Sequence, residues 1–197
     1  SMAYDTPHFL LKIAPSREGA KTLHTVYHKI AFKTTPYYNK VGITWSRISS
    51  SNVAFRLKDS TVNFGENSPC MFVDIDRNYI LALLNSKVAM YVLSLLNPTL
   101  TFQVIDIAKI PIIINNKIDR SRVNFIVEEC INISKKEWDS FEVSWDFKVH
   151  PLLKYLNRNK DYKVKSIFEV WKAECEKLFE QLKYNEEELN KNFIDIY

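Results

Sequence analysis

Glycine is almost absent: Gly19, Gly42 and Gly65 are the three in 197 residues. That scarcity excludes a dinucleotide-binding G-x-G-x-x-G turn, a P-loop and a G-x-S-x-G nucleophile elbow, each of which needs clustered glycines. Cysteine is as sparse and as scattered. Cys70, Cys130 and Cys175 form no CxxC and no Cys/His pair, which argues against a structural zinc or a disulfide framework and for reduced thiols. His24 and His28 are four apart, a spacing two metal ligands on one helical turn could use. No H-E-x-x-H surrounds them, so packing or solvated histidines are the simpler reading. Asp74 and Asp76 form a carboxylate pair, with Asp76 better explained as a helix cap. No nucleophile–base set emerges. Catalytic residues and metal ligands are therefore assigned to none.

Long apolar runs are missing as well. The run at 9–11 is cut by Lys12, so no signal peptide is expected. The stretch 79–96 carries Asn85, Ser86 and Lys87 at its middle, where polar groups cost most in a bilayer. A buried core helix is expected there instead, with no membrane partner, and the reduced thiols fit a cytoplasmic location. Ser1, Met2 and Ala3 read as an expression remnant and are left out of the fold reasoning.

What the chain does have is an uneven charge. The formal net charge is +4, but residues 160–197 hold seven Lys against nine Asp or Glu, so the excess of cations lies earlier. Between Glu18 and Asp59 there is no carboxylate at all, while Lys21, Lys29, Lys33, Lys40, Arg47, Arg56 and Lys58 alternate with Tyr27, Phe32, Tyr37, Tyr38, Trp45 and Phe55. A basic, aromatic, hydroxyl-rich stretch suits a polyanion better than a small metabolite. An ordinary sheet with a solvated face is the plainer explanation weighed against it.

Periodicity organises the rest. Phe9 to Ala14 reads as a strand and 16–30 as a helix. Val41, Ile43, Trp45 and then Val53, Phe55, Leu57 alternate with polar residues, predicting two half-buried strands. Ser49, Ser50, Ser51 and Asn52 join them in a wide loop without glycine. Further short strands are expected at 62–64 and 71–73, and Phe102, Val104 and Ile107, then 110–114 around Pro111, suggest edge-type strands returning to the sheet. One helix is expected over 79–96, capped by Asp76 and stopped by Asn97-Pro98. Asn97-Pro98-Thr99-Leu100 lacks the second proline and the aromatic of an adenine-methyltransferase tetrapeptide, so it reads as a structural stop. Ser134 with Glu137, and Ser166 with Glu169, are spaced as capping boxes of two further helices. Phe168, Trp171, Cys175, Leu178 and Leu182 form an apolar seam on the last, and Trp138, Trp145 and Trp171 are expected to fill core.

The stretches GITWSRISSS (42–51), FGENSPCMF (64–72), YILALLNSKVAMYVLSLLNPTLTFQVIDIAKIPI (79–112), WDSFEVSWDFKVHPLL (138–153) and NEEELNKNFIDIY (185–197) resemble the PglX family. These are the adenine-specific DNA methyltransferases of BREX phage-defence systems, related to type IIG restriction–modification enzymes. The 79–112 block also resembles target-recognition domains in general. Ile105 stands where relatives are expected to carry Gly, and Val149 where Arg is expected. The resemblance implies a fragment from beyond the catalytic domain, with S-adenosylmethionine bound upstream and no cofactor here.

The expected fold is α+β: a mixed sheet with a buried helix over 4–118, of target-recognition-domain type, and a helical C-terminal part, a hairpin or spacer, over 119–197. The expected function is DNA target recognition for a site-specific adenine methyltransferase in phage defence, in a fragment without its own active site. The expected contacts to double-stranded DNA are Arg47, Ser49, Ser50, Ser51, Asn52, Arg56 and Lys58, then Lys33, Tyr37, Tyr38 and Lys40. The catalytic methyltransferase domain and other defence-system proteins are the expected protein partners. The competing expectation is a protein-interaction module that docks defence components or a phage inhibitor, with the acidic helix over 166–197 as its surface.

Overall fold

The computed structural model describes residues 36–73, 76–114, 118–156 and 163–197. The strand expected at 9–14, the helix at 16–30, His24, His28, Lys33 and Asp74 lie outside the described residues. Strands β1 (Gly42–Trp45), β2 (Phe55–Lys58) and β3 (Cys70–Met71) form an antiparallel sheet in the order β2-β1-β3. Its register sets Ile43 opposite both Leu57 and Met71, and Trp45 opposite Phe55. The period-2 alternation therefore delivers Ile43, Trp45 and Phe55 to one face, where each is at most 1% exposed. The indole Nε1 of Trp45 donates to the Phe102 carbonyl at 3.0 Å, so the core tryptophan leaves no buried donor unmet. The strand expected at 62–64 does not form; the chain turns there, and Gly65 and Ser68 make an isolated bridge.

Against the core face lie α1 (Arg77–Leu84) and α2 (Lys87–Leu96), followed by α3 (Val104–Ile107), α4 (Arg120–Trp138), α5 (Pro151–Leu156) and α6 (Val164–Ile194). The helix expected over 79–96 is two helices, bent by 64° at Asn85 and Ser86. Asn85 ends α1 and uses its carboxamide as a surrogate strand. Its Oδ1 accepts the Phe55 N–H and its Nδ2 donates to the Phe55 carbonyl, both at 3.0 Å. The same Nδ2 donates to Leu81 O. Ser86 then caps α2, accepting from the Ala89 amide at 3.2 Å and donating to Leu83 O at 2.6 Å. No single described helix is long and apolar enough to cross a membrane. Every residue from Tyr79 to Leu84 is buried, as expected of a core helix.

Asp76 precedes α1 but does not cap it with its side chain. It sits in the left-handed region at φ 53°, and its carboxylate takes the Arg120 guanidinium at 2.6 Å. The chain from 102 to 114 is not a pair of strands either. Val104–Ile107 is one helical turn, closed where Asp106 Oδ2 accepts from the Gln103 amide and from Asn97 Nδ2. Asn97 also accepts from the Thr99 amide, so the Asn-Pro segment is a folded stop. Residues 111–114 form no strand with the described residues. Tyrosines stand in for the ladder: Tyr79 Oη donates to Ile113 O at 2.6 Å, and Tyr197 Oη accepts from Ile113 N at 2.9 Å while donating to Pro111 O.

The helices over 119–197 close the same core. Val123, Ile126, Val127, Cys130, Leu189 and Phe193 belong to one buried cluster with Ile43, Trp45 and Leu83. Helix α4 is continuous from its Asp119 cap, which accepts from the Ser121 and Arg122 amides, so Ser134 and Glu137 lie inside it and form no capping box. Helix α6 starts at Val164, before the Ser166–Glu169 signature. Its C-terminal half enters the core through Asn185, Leu189 and Phe193. Asn185 Nδ2 donates to Glu129 at 2.8 Å, and Arg122 holds Glu188 with two bonds of 2.8 and 2.7 Å.

The N-terminal half of α6 does not enter the core. Phe168 is 45% exposed and Cys175 is exposed, with Trp171 and Leu178 half-buried. Instead, Trp171, Cys175, Leu178 and Leu182 of this seam line, with the end of α4, the 139–150 loop and α5, a cleft of about 570 Å³. Trp145, expected to be core, is 50% exposed, and Trp138 is half-buried. At the cleft Glu174 accepts from both Lys136 and Tyr155, and the ammonium first, then the phenol, holds its carboxyl below the usual glutamate range.

Two stability tests follow from these contacts. Asn85→Ala strands the outward N–H and C=O of Phe55 and is expected to lower unfolding free energy by about 2–4 kcal/mol, read as a urea midpoint shift at unchanged slope. Glu174, with its depressed pKa, stabilises fully above an unfolded value near 4.5 and loses that contribution as the pH falls below it. Urea melts of Glu174→Gln should therefore fall short of wild type at pH 7, and the shortfall should shrink as the pH falls through the lowered glutamate value.

Candidate nucleic-acid interface

The basic, aromatic stretch is divided by β1 into two groups. At the start of the strand lie Tyr37, Tyr38 and Lys40. Tyr37 stacks on Phe72 with centroids 5.2 Å apart, Tyr38 meets Phe64 edge-on at 5.9 Å, and Phe64 meets Phe72 at 5.3 Å. Lys40 Nζ sits 5.7 Å from the Tyr37 ring, a cation–π distance. These rings roof the sheet face opposite the core, where Gly42 is paired with Lys58. The roof is close. A Cβ on Gly42 would stand 2.6 Å from Cys70 Sγ and 2.8 Å from the Met71 carbonyl, so only glycine lets β1 and β3 approach this far.

Lys58 lies beneath that roof and is 4% exposed. Its ammonium donates to the Asp59 and Val62 carbonyls and lies 6.0 Å from the Phe72 ring. Burial lowers its pKa, opposed by the nearby Cys70 and Asp59. Strand alternation correctly turns Lys58 away from the core, but the aromatic layer covers the face it turns to. It is therefore not a surface cation, and the expected phosphate contact is unavailable to it.

At the other end of β1 the second group comes together. Arg47 N donates to Asn67 O at 3.0 Å, and Arg47 O accepts from Phe102 N at 2.6 Å. Ser49 N donates to Leu100 O at 3.0 Å, and Ile48 bridges Thr101. Residues 47–49 thus run as a short antiparallel ribbon with 100–102. The ribbon ends in the 49–52 loop, where Ser49 Oγ accepts from the Ser51 amide at 3.3 Å and donates to Asn52 O at 3.5 Å. Ser50, Ser51 and Asn52 are exposed. Arg56 faces Thr44 across the ladder and donates from Nη2 to Ser46 Oγ at 2.9 Å.

Two features escaped the sequence reading. Arg47 is ion-paired with Glu66, which is itself 82% exposed; Glu66 lies just past the acid-free stretch, so counting charges in that stretch missed it. The second strand of the ribbon, 100–102, carries no local binding signal and is brought in only by the tertiary pairing. Among the described residues no group of three or more His, Cys, Asp or Glu could hold a metal ion. Burial raises the Cys70 thiol to about 11 and the Cys130 thiol to about 12, so neither is a ready nucleophile at neutral pH. Chemically, the ribbon end offers hydroxyls, an amide and a guanidinium on a rigid base, which is equipment for binding.

Replacing Lys58 by Met should cost about 1–3 kcal/mol, because two backbone carbonyls lose their charged donor, whereas Ser50→Ala and Ser51→Ala should stay within about 0.5 kcal/mol of wild type. Equilibrium urea unfolding distinguishes the two classes.

No protein-family model matches the chain. It is 34% identical over 158 residues to the adenine-specific methyltransferase PglX of Lacticaseibacillus casei (strain Zhang), covering 79% of this chain and 13% of that protein. It is 30% identical over 172 residues to the adenine-specific methyltransferase BrxX of Escherichia coli O9:H4 (strain HS), covering 85% of this chain and again 13% of the relative. The chain thus spans about an eighth of the length of these curated relatives. Both similarities run along most of its sequence, so the chain is related to one segment of these longer PglX and BrxX proteins.

Proposed function

We propose that this chain is a DNA target-recognition segment, working within a larger adenine-specific DNA methyltransferase of a BREX-type phage-defence system. The observation that carries the reading is the exposed polar loop of Ser50, Ser51 and Asn52, held at the end of a backbone-paired ribbon beside Arg47 and Arg56. Short polar side chains on a stiff support are suited to hydrogen-bonding base edges, and guanidinium groups to phosphates. Tyr37 and Lys40, exposed at the far end of β1, extend the same side of the sheet, and Tyr38 backs them. Lys58 has no part in it. S-adenosylmethionine and the methyl transfer belong to a separate catalytic domain, which is the first expected partner, in the cytoplasm.

A second reading has its own observation. Phe141, Val143 and Trp145 are each at least half exposed beside the 570 Å³ cleft of the helical end, a concentration of apolar surface typical of protein contacts. In that reading the helical end docks other defence-system components. It differs from the acidic-helix surface expected from sequence, because the apolar 139–150 loop carries it.

Salt dependence separates the two. Binding of the chain to labelled duplex DNA should weaken steeply between 50 and 200 mM salt, with a log–log slope near −0.9 for each phosphate neutralised. Arg56→Ala should flatten that slope by about one, and Lys58→Met should leave it unchanged. Absence of duplex binding at 50 mM salt, or a flat slope, rejects the DNA reading in favour of docking.

A further inference from the structure

Helix α6 carries one stripe with two fates. Phe168, Trp171, Cys175 and Leu178 are followed by Leu182, Asn185 and Leu189 at alternating steps of three and four, the spacing of a heptad seam that meets another helix. Over its C-terminal part α4 supplies that helix. Asn185 and Leu189 are buried, Asn185 donates to Glu129 at 2.8 Å and Arg122 pairs with Glu188. Helix α4 stops at Trp138, soon after Lys136 reaches Glu174. From there the stripe is open: Phe168 and Cys175 are exposed, and Trp171 and Leu178 are half-buried beside the cleft. The six residues of α5 span about 9 Å, too little to cover the roughly 15 Å from Phe168 to Leu178. The charges in the cleft wall are uneven too. Glu174 is taken by Lys136 and Tyr155, and Asp139 and Asp146 by Lys135. Among the described residues the exposed Lys148 and Lys154 make no salt bridge, and Glu137 is the one lining carboxylate in the same position.

We infer that an amphipathic helix of the larger methyltransferase polypeptide lies in this cleft, its apolar stripe on Trp171, Cys175 and Leu178 and its acidic flank on Lys148 and Lys154. This rests on the reading that the chain works within such a protein, and it adds the place where the two parts meet. A helix seated in an apolar groove anchors itself at i, i+3, i+4 and i+7, the spacing that the open stripe presents. Its docking continues an interface that α4 has already begun, along the same seam of the same helix. The unpaired ammonium groups select acidic residues beside the apolar ones. The match takes up 13% of each relative, which leaves most of such a polypeptide to supply the helix.

Cys175 reports on the cover, being the exposed cysteine beside a half-buried Cys70 and a buried Cys130. Labelling with N-ethylmaleimide in the absence of DNA, followed by mass spectrometry of each cysteine peptide, compares this chain with the full-length methyltransferase that contains it. Cys175 is expected to react about tenfold more slowly, or slower still, in the full-length protein, with Cys130 slow in both. Lys148→Glu combined with Lys154→Glu should speed the Cys175 reaction several-fold in the full-length protein. In the chain alone the same pair should leave the rate unchanged, with circular dichroism verifying the fold. A p-benzoylphenylalanine placed at Phe179, 63% exposed in the cleft lining, should crosslink on irradiation to an acidic amphipathic helix of the same polypeptide. Equal Cys175 rates in the two proteins, a rate indifferent to both charge reversals, or crosslinks only to a second copy, to another protein or to a segment without that pattern would each overturn the inference. None of these outcomes touches duplex binding through Arg56. A protected Cys175 in a protein that binds no duplex would instead bring down the DNA-recognition reading alone.

Discussion

The carboxamide of Asn85 is the joint on which this fold turns. It meets the N–H and C=O of Phe55 together, satisfying the open edge of β2 with a side chain in place of a strand. Because the same residue ends α1, the sheet edge, the helix end and the 64° change of direction are fixed at one point. Ser86 restarts the helix immediately. Without this pairing a buried edge would carry two unmet backbone groups, and α1 would have no defined height against the sheet. Trp45, Phe55 and Leu83 are almost wholly buried around it, so their packing presupposes that height.

This joint also explains why the two faces of so small a sheet behave differently. The core face is sealed by α1 and, through it, by α4 and the C-terminal half of α6. Among the described residues no helix lies on the other face. Tyr37, Phe64 and Phe72 cover one end of it, over Gly42 and Lys58, and Arg56 and Ser46 occupy the other. Polarity therefore changes along β1, from aromatic packing at Gly42 to hydrogen-bonding groups past Trp45. The uneven charge of the sequence is converted into one uneven face.

Much of this was legible in the residues. Alternation at 41–45 and 53–57 foretold the hairpin, because short amphipathic strands write their burial with period two. The core helix was legible in content but not in shape. Its apolar run continues across Asn85 and Ser86, and the bonds that fix Asn85 go to Phe55, thirty positions earlier in the chain. The apolar seam from Phe168 to Leu182 has good spacing, yet spacing reports a stripe and not what covers it; only its final residue packs against the core. Lys58 and Trp145 failed in opposite directions for one reason. Residue type favours an exposed lysine and a buried tryptophan, and local tertiary cover decided otherwise in both cases. Of the candidate site, the polar loop was legible, whereas Glu66 and the 100–102 strand were not, being neighbours only in space.

The 49–52 loop is tied at both of its ends. On one side the Arg47 and Ser49 backbone groups are bonded to Phe102 and Leu100; on the other, Phe55 is held by Asn85. Fixing one backbone residue costs roughly 1–2 kcal/mol of conformational entropy, and most of that cost has already been met here during folding. Only the five residues between the ties, 50–54, still have freedom to lose when the loop engages a partner, and Val53 among them is already buried. A hairpin without those ties would lose freedom along its whole length. Tight complexes do not require a large contact area if little disorder has to be surrendered, and this loop is built to surrender little.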